Sequence, residues 1–341
     1  MLTRSRRPCQ NPWPSVATDR TEQLGLFGAI DAPARGRDVE LAERVAREHA
    51  ECAAIAARLP RGVFFGTSTW SFPGWAGIVY SRRATTAELA RDGLAEYARH
   101  PLLTTVGIDR GYYGPIPSAD LARYAAQLPP GFPCCAKAPE AVTSAASPDF
   151  LHAPRFVDEM VGPFLEVFRE HTGPFLIQLP PAPREAAPSS RGSPFVERLD
   201  RFLGALPRAA RYAVELRERA LLTPAYRDVL AAHGAAHVCN YATAMPMPAE
   251  QARAIPVAAA PFAVIRLLLR PGTRYEERRD EFQPFDRIVD ENPEMRRQVV
   301  AIVREAAGLG RDVSVLVNNK AEGCSPRAIR ALAEMLADEE D

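Results

Sequence analysis

The chain has 341 residues, 47% of them apolar, and its 42 basic side chains equal its 42 acidic ones. That is enough for one large domain or two smaller ones with a substantial core, and the balanced charge gives no global drive toward nucleic acid. No apolar run reaches the roughly 18 residues of a membrane span, and the Arg-bearing N-terminus lacks the apolar stretch of a secretory signal, so a cytoplasmic protein is expected.

In chain order, residues 1–36 are rich in Arg, Pro, Ser and Asp without periodicity and read as a flexible tail. An apolar island, Gln23-Leu24-Gly25-Leu26-Phe27, interrupts it. Residues 38–58 read as an amphipathic helix with Val39, Leu41, Ala42, Val45, Ala46 and Ala53 on the apolar side. The expected organisation is a tail (1–36), an accessory helix (37–60) against the bottom or side of a barrel, and the barrel itself (61–341).

Eight strand-like segments follow: VFFGT (63–67), LTTVGI (103–108), FPCCAK (132–137), FLIQL (175–179), YAVEL (212–216), AHVCN (236–240), FAVIRLL (262–268) and VSVLVNN (313–319). Helices are expected between them at Thr85–Arg99, Ser118–Leu128, Phe150–Glu170, 195–204, Pro224–His233, Asn292–Ala307 and Ser325–Ala337, with Ser118 and Ser325 as caps. A short crossover helix is expected at 245–255 and a long loop over the barrel top at Arg270–Asp290. Strands apolar on both faces indicate parallel pairing beneath helices. Eight such units predict a closed TIM-type (β/α)8 barrel. An open doubly wound sheet is the alternative, without a G-x-G-x-x-G or P-loop sequence to support it.

Barrels of this kind place chemistry at the C-terminal strand ends. Those ends carry Asp109, Lys137, Gln178, Glu215, Arg217, Arg266 and Asn319. Strand alternation puts Glu215 and Arg217 on one face. Glu215 is the leading acid, base or ligand orienter, and its structural alternative is an ion pair with Arg217, Lys137 or Arg266. Lys137 can stabilise an enolate or phosphate, or neutralise Glu215. Arg217 and Arg266 suit a phosphate or carboxylate. Asp109 is a further acid or base, with Gly107 leaving room beside it. Tyr112 and Tyr113 can stack on a ligand. Gln178 and one of Asn318 and Asn319 can orient it. Trp70 and Trp75 flank Pro73-Gly74 as either a ligand wall or a loop anchor.

The six cysteines form no short-spaced metal framework, and the six histidines read as surface or loop residues. No metal ligands are assigned and no cofactor is expected from spacing; Mg²⁺ held through water by Glu215 and Asp109 stays open.

Several motifs in order resemble one family: Phe65-Gly66-Thr67-Ser68-Thr69-Trp70-Ser71-Phe72-Pro73-Gly74-Trp75, Lys137-Ala138-Pro139, Gln178-Leu179-Pro180-Pro181, Ala213-Val214-Glu215-Leu216-Arg217 and Val317-Asn318-Asn319. On these the chain is similar to domain of unknown function 72 (DUF72), the YecE-like proteins. The resemblance covers most of 62–337 and implies a TIM-type barrel with no assigned activity. The chain departs from the family pattern at Gly107, where Glu is usual, and at Asp109, where Asn is. Ser144 and Leu268 stand where His is usual, and so does Lys320.

Two functional classes follow: an enzyme acting on a phosphorylated or polyhydroxylated small molecule, or a noncatalytic ligand-binding barrel. A third, a nucleic-acid-associated accessory protein, comes from the tail, because Gln23–Phe27 resembles the peptide with which bacterial repair proteins bind the sliding clamp. Its Gln hydrogen-bonds and its Leu-Phe pair enters an apolar cleft. Full-length protein is then expected to bind purified clamp and to lose binding on joint replacement of Leu26 and Phe27 by Ala. Unchanged binding in a pull-down removes that partner.

Overall fold

The computed structural model describes residues 32–181 and 194–338; the tail and its Gln23–Phe27 motif lie outside them. Eight strands form β1 (Val63–Thr67), β2 (Thr105–Ile108), β3 (Cys134–Lys137), β4 (Thr172–Gln178), β5 (Tyr212–Glu215), β6 (Ala236–Tyr241), β7 (Phe262–Leu267) and β8 (Asp312–Val317). Neighbours in sequence pair in parallel, and β8 pairs back onto β1 from Val63↔Val313 to Thr67↔Val317. That ladder closes the (β/α)8 barrel and excludes the open sheet.

Alternation along the strands sorts the core into two parts. Cys135, Leu176, Ala213, Val238, Val264 and Leu316 fill the barrel interior as a small cluster. Their neighbours Ala136, Ile177, Val214, Cys239, Ile265 and Val315 join the larger core under the helices. Two residues beyond the interior cluster, the same parity brings Lys137, Gln178, Glu215, Asn240 and Arg266 to the mouth. The polar layer is thus a direct continuation of the apolar one.

Two glycines set the approach of β1 to β2. A Cβ on Gly66 would lie 2.0 Å from the Thr105 carbonyl oxygen, and one on Gly107 would lie 2.7 Å from that of Ser68. The room expected beside Gly107 is therefore filled by the Ser68 backbone.

The N-terminal helix spans Ala32–Ala56 and packs on helix Ser325–Ala337. It buries Leu41, Val45, Cys52 and Ile55, whereas Val39 faces solvent. The helix expected over Thr85–Arg99 is divided at Gly93 into Thr86–Asp92 and Leu94–Tyr97, and Thr85 forms a capping box with Glu88. The one expected over Phe150–Glu170 breaks into Ala153–Phe156, a π-turn at Val157–Val161, and Gly162–Val167. Pro163 has no N–H to continue the ladder there. Pro117 and Cys324, not Ser118 and Ser325, hold the cap positions.

The segment Arg270–Asp290, expected as a loop, contains helix Tyr275–Phe282. Its sequence YEERRDEF is charged nearly all round and carries no apolar stripe, so periodicity misses it. Contacts hold the segment in place instead: Arg270 and Arg278 both bridge to Asp290, at 2.9 and 3.0 Å. Phe285 packs edge-on against Phe72. No helix among the described residues is long and apolar enough to cross a membrane.

Gly66→Ala forces β1 from β2 and is expected to cost on the order of 3 kcal/mol, the upper end for overpacking. Urea unfolding monitored by circular dichroism checks it; an unchanged midpoint would show that the two strands can separate freely.

Candidate active site at the barrel mouth

The ladders place the charged residues. Gln178 pairs with Glu215 across β4 and β5, and Asn240 with Arg266 across β6 and β7. Glu215 is fully buried. Its Oε2 meets Arg266 Nη1 at 2.5 Å and its Oε1 meets Arg217 Nη2 at 2.6 Å. The second contact is an ion pair lying off the hydrogen-bond direction. Gln178 Oε1 accepts from both guanidinium groups, at 3.1 Å from Arg217 and 3.3 Å from Arg266. On its far side Arg266 Nη2 stands 3.7 Å from Asp109 Oδ1.

Burial by itself pushes the Glu215 carboxyl up, but Arg217, Arg266 and Lys137 together outweigh it and hold the group below its ordinary value. Glu215 is therefore an anion that orients two cations. The structural alternative weighed from the sequence is the geometry observed, with Arg217 and Arg266 as the partners. Arg217 Nε, Arg266 Nε and Asp109 Oδ1 are buried without a hydrogen-bond partner among the described residues. Such atoms are costly unless something satisfies them, so they mark where a polar ligand gains most.

Lys137 reaches the same mouth, its Nζ 3.6 Å from the centre of the Tyr112 ring. Burial lowers its pKa to about 8; Asp109 opposes the shift and Arg266 adds to it. Lys320, just beyond β8, is only 7% exposed. Its Nζ lies 4.4 Å from the Tyr275 ring centre and donates to Asn318 Oδ1 at 3.3 Å. Burial, then Arg279, lowers its pKa to about 8 as well, with Asp109 again opposing. Asp109 thus acts on Lys137, Lys320 and Arg266 together. Lys320 was not among the sequence-derived candidates; the signal available was its place as a departure from the family pattern.

Tyr113 is 61% exposed and stands edge-on to Tyr112 at 5.3 Å. The two tyrosines line a groove of about 540 Å³ with Pro139, Glu140, Ser144 and Glu159. Trp70 and Asn319 are used differently. The Trp70 indole donates to the Leu89 carbonyl at 2.9 Å, and its ring packs edge-on against Tyr124. Asn319 Oδ1 accepts from the Trp75 indole at 3.3 Å and from the Ser325 N–H at 2.8 Å. The Trp70 indole N–H and the Asn319 carbonyl oxygen are thus bonded inside the scaffold, whereas Asn319 Nδ2 is buried without a hydrogen-bond partner among the described residues. Nor do all the histidines sit at the surface: His100, His171 and His237 are buried. His237 bonds the Tyr226 hydroxyl at 3.1 Å and Gln251 Oε1 at 3.2 Å, a structural role.

The chain is a closed (β/α)8 barrel with a charged layer at its C-terminal strand ends, the face at which barrel enzymes carry their chemistry. The family described as "Protein of unknown function DUF72" matches residues 64–341, and the chain belongs to that family. A DUF72 family protein from Thermotoga maritima is similar in structure at 20% identity, covering 81% of this chain and 99% of its own, with a TM-score of 0.58. One from Enterococcus faecalis is similar at 16% identity, covering 82% of this chain and 97% of its own, with a TM-score of 0.57. At these identities the likeness is one of fold. No functionally curated protein matches the chain.

Replacing Glu215 by Gln strands two guanidinium groups, one of them wholly buried. The expected loss is about 3–5 kcal/mol, as for breaking a buried pair from one side. Urea unfolding of the E215Q variant measures it, and a loss under 1 kcal/mol would mean the arginines find other partners.

Proposed function

We propose that the mouth binds a small phosphorylated or polyhydroxylated metabolite by its anionic group and catalyses proton transfer on it. One observation carries the reading: an amine with a pKa of about 8, Lys137, shares the mouth with two guanidinium groups already oriented by Glu215. Proton transfer is most efficient when the catalytic pKa lies near the working pH. Guanidinium forks held in place bind phosphate or carboxylate without ordering cost at the moment of binding.

The roles divide accordingly. Arg217, partly exposed, receives the anion, and Arg266 backs it from the buried side. Lys137 exchanges a proton with the substrate and, when charged, stabilises oxygen that becomes negative. Asp109 serves as the opposed acid or base and sets the charge of both lysines. Glu215 and Gln178 are positioning residues, since both face the two arginines. Tyr112 and Tyr113 offer ring faces to the body of the ligand. Isomerisation or epimerisation beside a carbonyl suits this equipment, and the same cations also suit phosphoester hydrolysis.

The test is ligand-induced thermal shift of the full-length protein with a panel of sugar phosphates and the corresponding free sugars. Phosphorylated compounds are expected to give saturable stabilisation. Arg217→Ala is expected to weaken them by roughly 10- to 100-fold, the value of a charge-assisted hydrogen bond. The pH dependence has a defined sign. Lys137 and Lys320 are charged below about pH 8 and lose that charge as pH rises through it. Affinity for the anion is therefore held below pH 8 and falls above it, and the joint Lys137→Met, Lys320→Met variant has a flat profile over that window. Equal shifts from sugars with and without phosphate would remove the anion from the proposal.

A further inference from the structure

We propose a metal site away from the mouth, in which Glu48, Cys52 and His100 bind a zinc-like divalent ion that fastens the N-terminal helix to the barrel. Glu48 and Cys52 lie four residues apart on helix Ala32–Ala56 and so share one face. His100 comes from the turn between helix Leu94–Tyr97 and β2. One ligand atom from each of the three lies within 4.8 Å of the other two. Adjustments of about 1 Å bring such atoms to the 2.0–2.3 Å bond lengths of a tetrahedral zinc centre.

A second observation points to a ligand independently. His100, 2% exposed, has its Nε2 buried with no partner among the described residues, and so has the neighbouring His49. Their rings stand edge to face, 5.0 Å apart. Two unmet imidazole nitrogens side by side in a protein interior are unusual, because each loses its water without gaining a bond. His100 Nδ1 takes only a long bond from the Leu102 N–H, at 3.3 Å. Ligation at Nε2 moves the ring proton to Nδ1 and exchanges that bond for one to the metal. His49 stands beside His100 but outside the group of three.

The surroundings favour a cation. Arg330 bridges Glu48 at 3.2 Å, Glu51 at 2.7 Å and Glu334 at 2.9 Å, leaving three carboxylates against one guanidinium. Arg330 holds Glu48 by Oε2 and leaves Oε1, the oxygen 3.6 Å from Cys52 Sγ, for the ion. That is the outer-shell arrangement that orients a ligating carboxylate. Sulfur, nitrogen and oxygen donors together select zinc over magnesium or calcium. Binding replaces the Cys52 S–H bond by a sulfur–metal bond and releases the proton to solvent. Glu48 and Cys52 both precede the family-matched region, which begins at residue 64. Two of the three ligands therefore lie on the added helix, and the third, His100, lies within the family-matched barrel.

Full-length protein dialysed against chelator is titrated with Co²⁺ and then with Zn²⁺. The expected result is a near-ultraviolet thiolate-to-cobalt band and strong visible d–d bands, saturating at one ion per chain and abolished by Zn²⁺. Cys52→Ser is expected to lose the thiolate band while circular dichroism shows an intact barrel. Glu48→Gln, on the more accessible side of the cluster, keeps the band and binds at least about tenfold more weakly. The absence of a thiolate band in the unsubstituted protein, or its persistence in Cys52→Ser, overturns the proposal. Unchanged affinity in Glu48→Gln removes Glu48 from the ligand set and overturns it in this form.

Discussion

The Glu215 carboxylate, held between Arg217 and Arg266, is the interaction on which the mouth of this barrel depends. Each of these ions would lose several kcal/mol of hydration if buried alone. Together, with Gln178 accepting from both guanidinium groups, they form one charged unit inside the ring of strands. The unit ties β5 to β7 across the interior, where neither strand is hydrogen-bonded to the other. It also decides what Glu215 can do. Its two oxygens face the two guanidinium groups, which makes it the group that orients them.

The rest of the mouth follows from the charge that remains. Arg217, Arg266, Lys137 and Lys320 face two carboxylates, Glu215 and Asp109. The excess is positive, and burial makes that charge costly to keep on the amines. Lys137 and Lys320 therefore ionise near neutrality, while the arginines stay charged. Asp109 acts on both lysines and on Arg266 and so offsets part of that charge. Where the family pattern has Asn at that position, Lys137 and Arg266 would lack this counter-charge, and so the departure changes the electrostatics of the site.

The mouth and the accessory helix are built on different principles. At the C-terminal strand ends, polar residues continue the parity of an apolar interior. At the accessory helix, Glu48, Cys52 and His100 come together because a helix packs across the barrel wall, and strand parity plays no part. Segment Arg270–Asp290 joins the first of these regions through Lys320 and Tyr275 and through the close approach of Pro284 to Gly74, where a Cβ would lie 1.8 Å from the proline carbonyl oxygen.

The sequence by itself determined the barrel and the address of its mouth. Strand periodicity is local, and parity carries a side chain inward without reference to distant parts of the chain; hence Lys137, Gln178, Glu215 and Arg266 could be placed together before any coordinates. The contacts of Trp70 and Asn319 and the filling of the space beside Gly107 were decided only by the tertiary structure. Each depends on which atoms of remote segments meet: the indole of Trp70 on the Leu89 carbonyl, Asn319 on Trp75 and Ser325, and the Ser68 backbone against Gly107. Helix Tyr275–Phe282 and the partnership of Glu48 and Cys52 with His100 belong to the same class, since charge-rich helices and ligands some fifty residues apart leave no local period in a sequence.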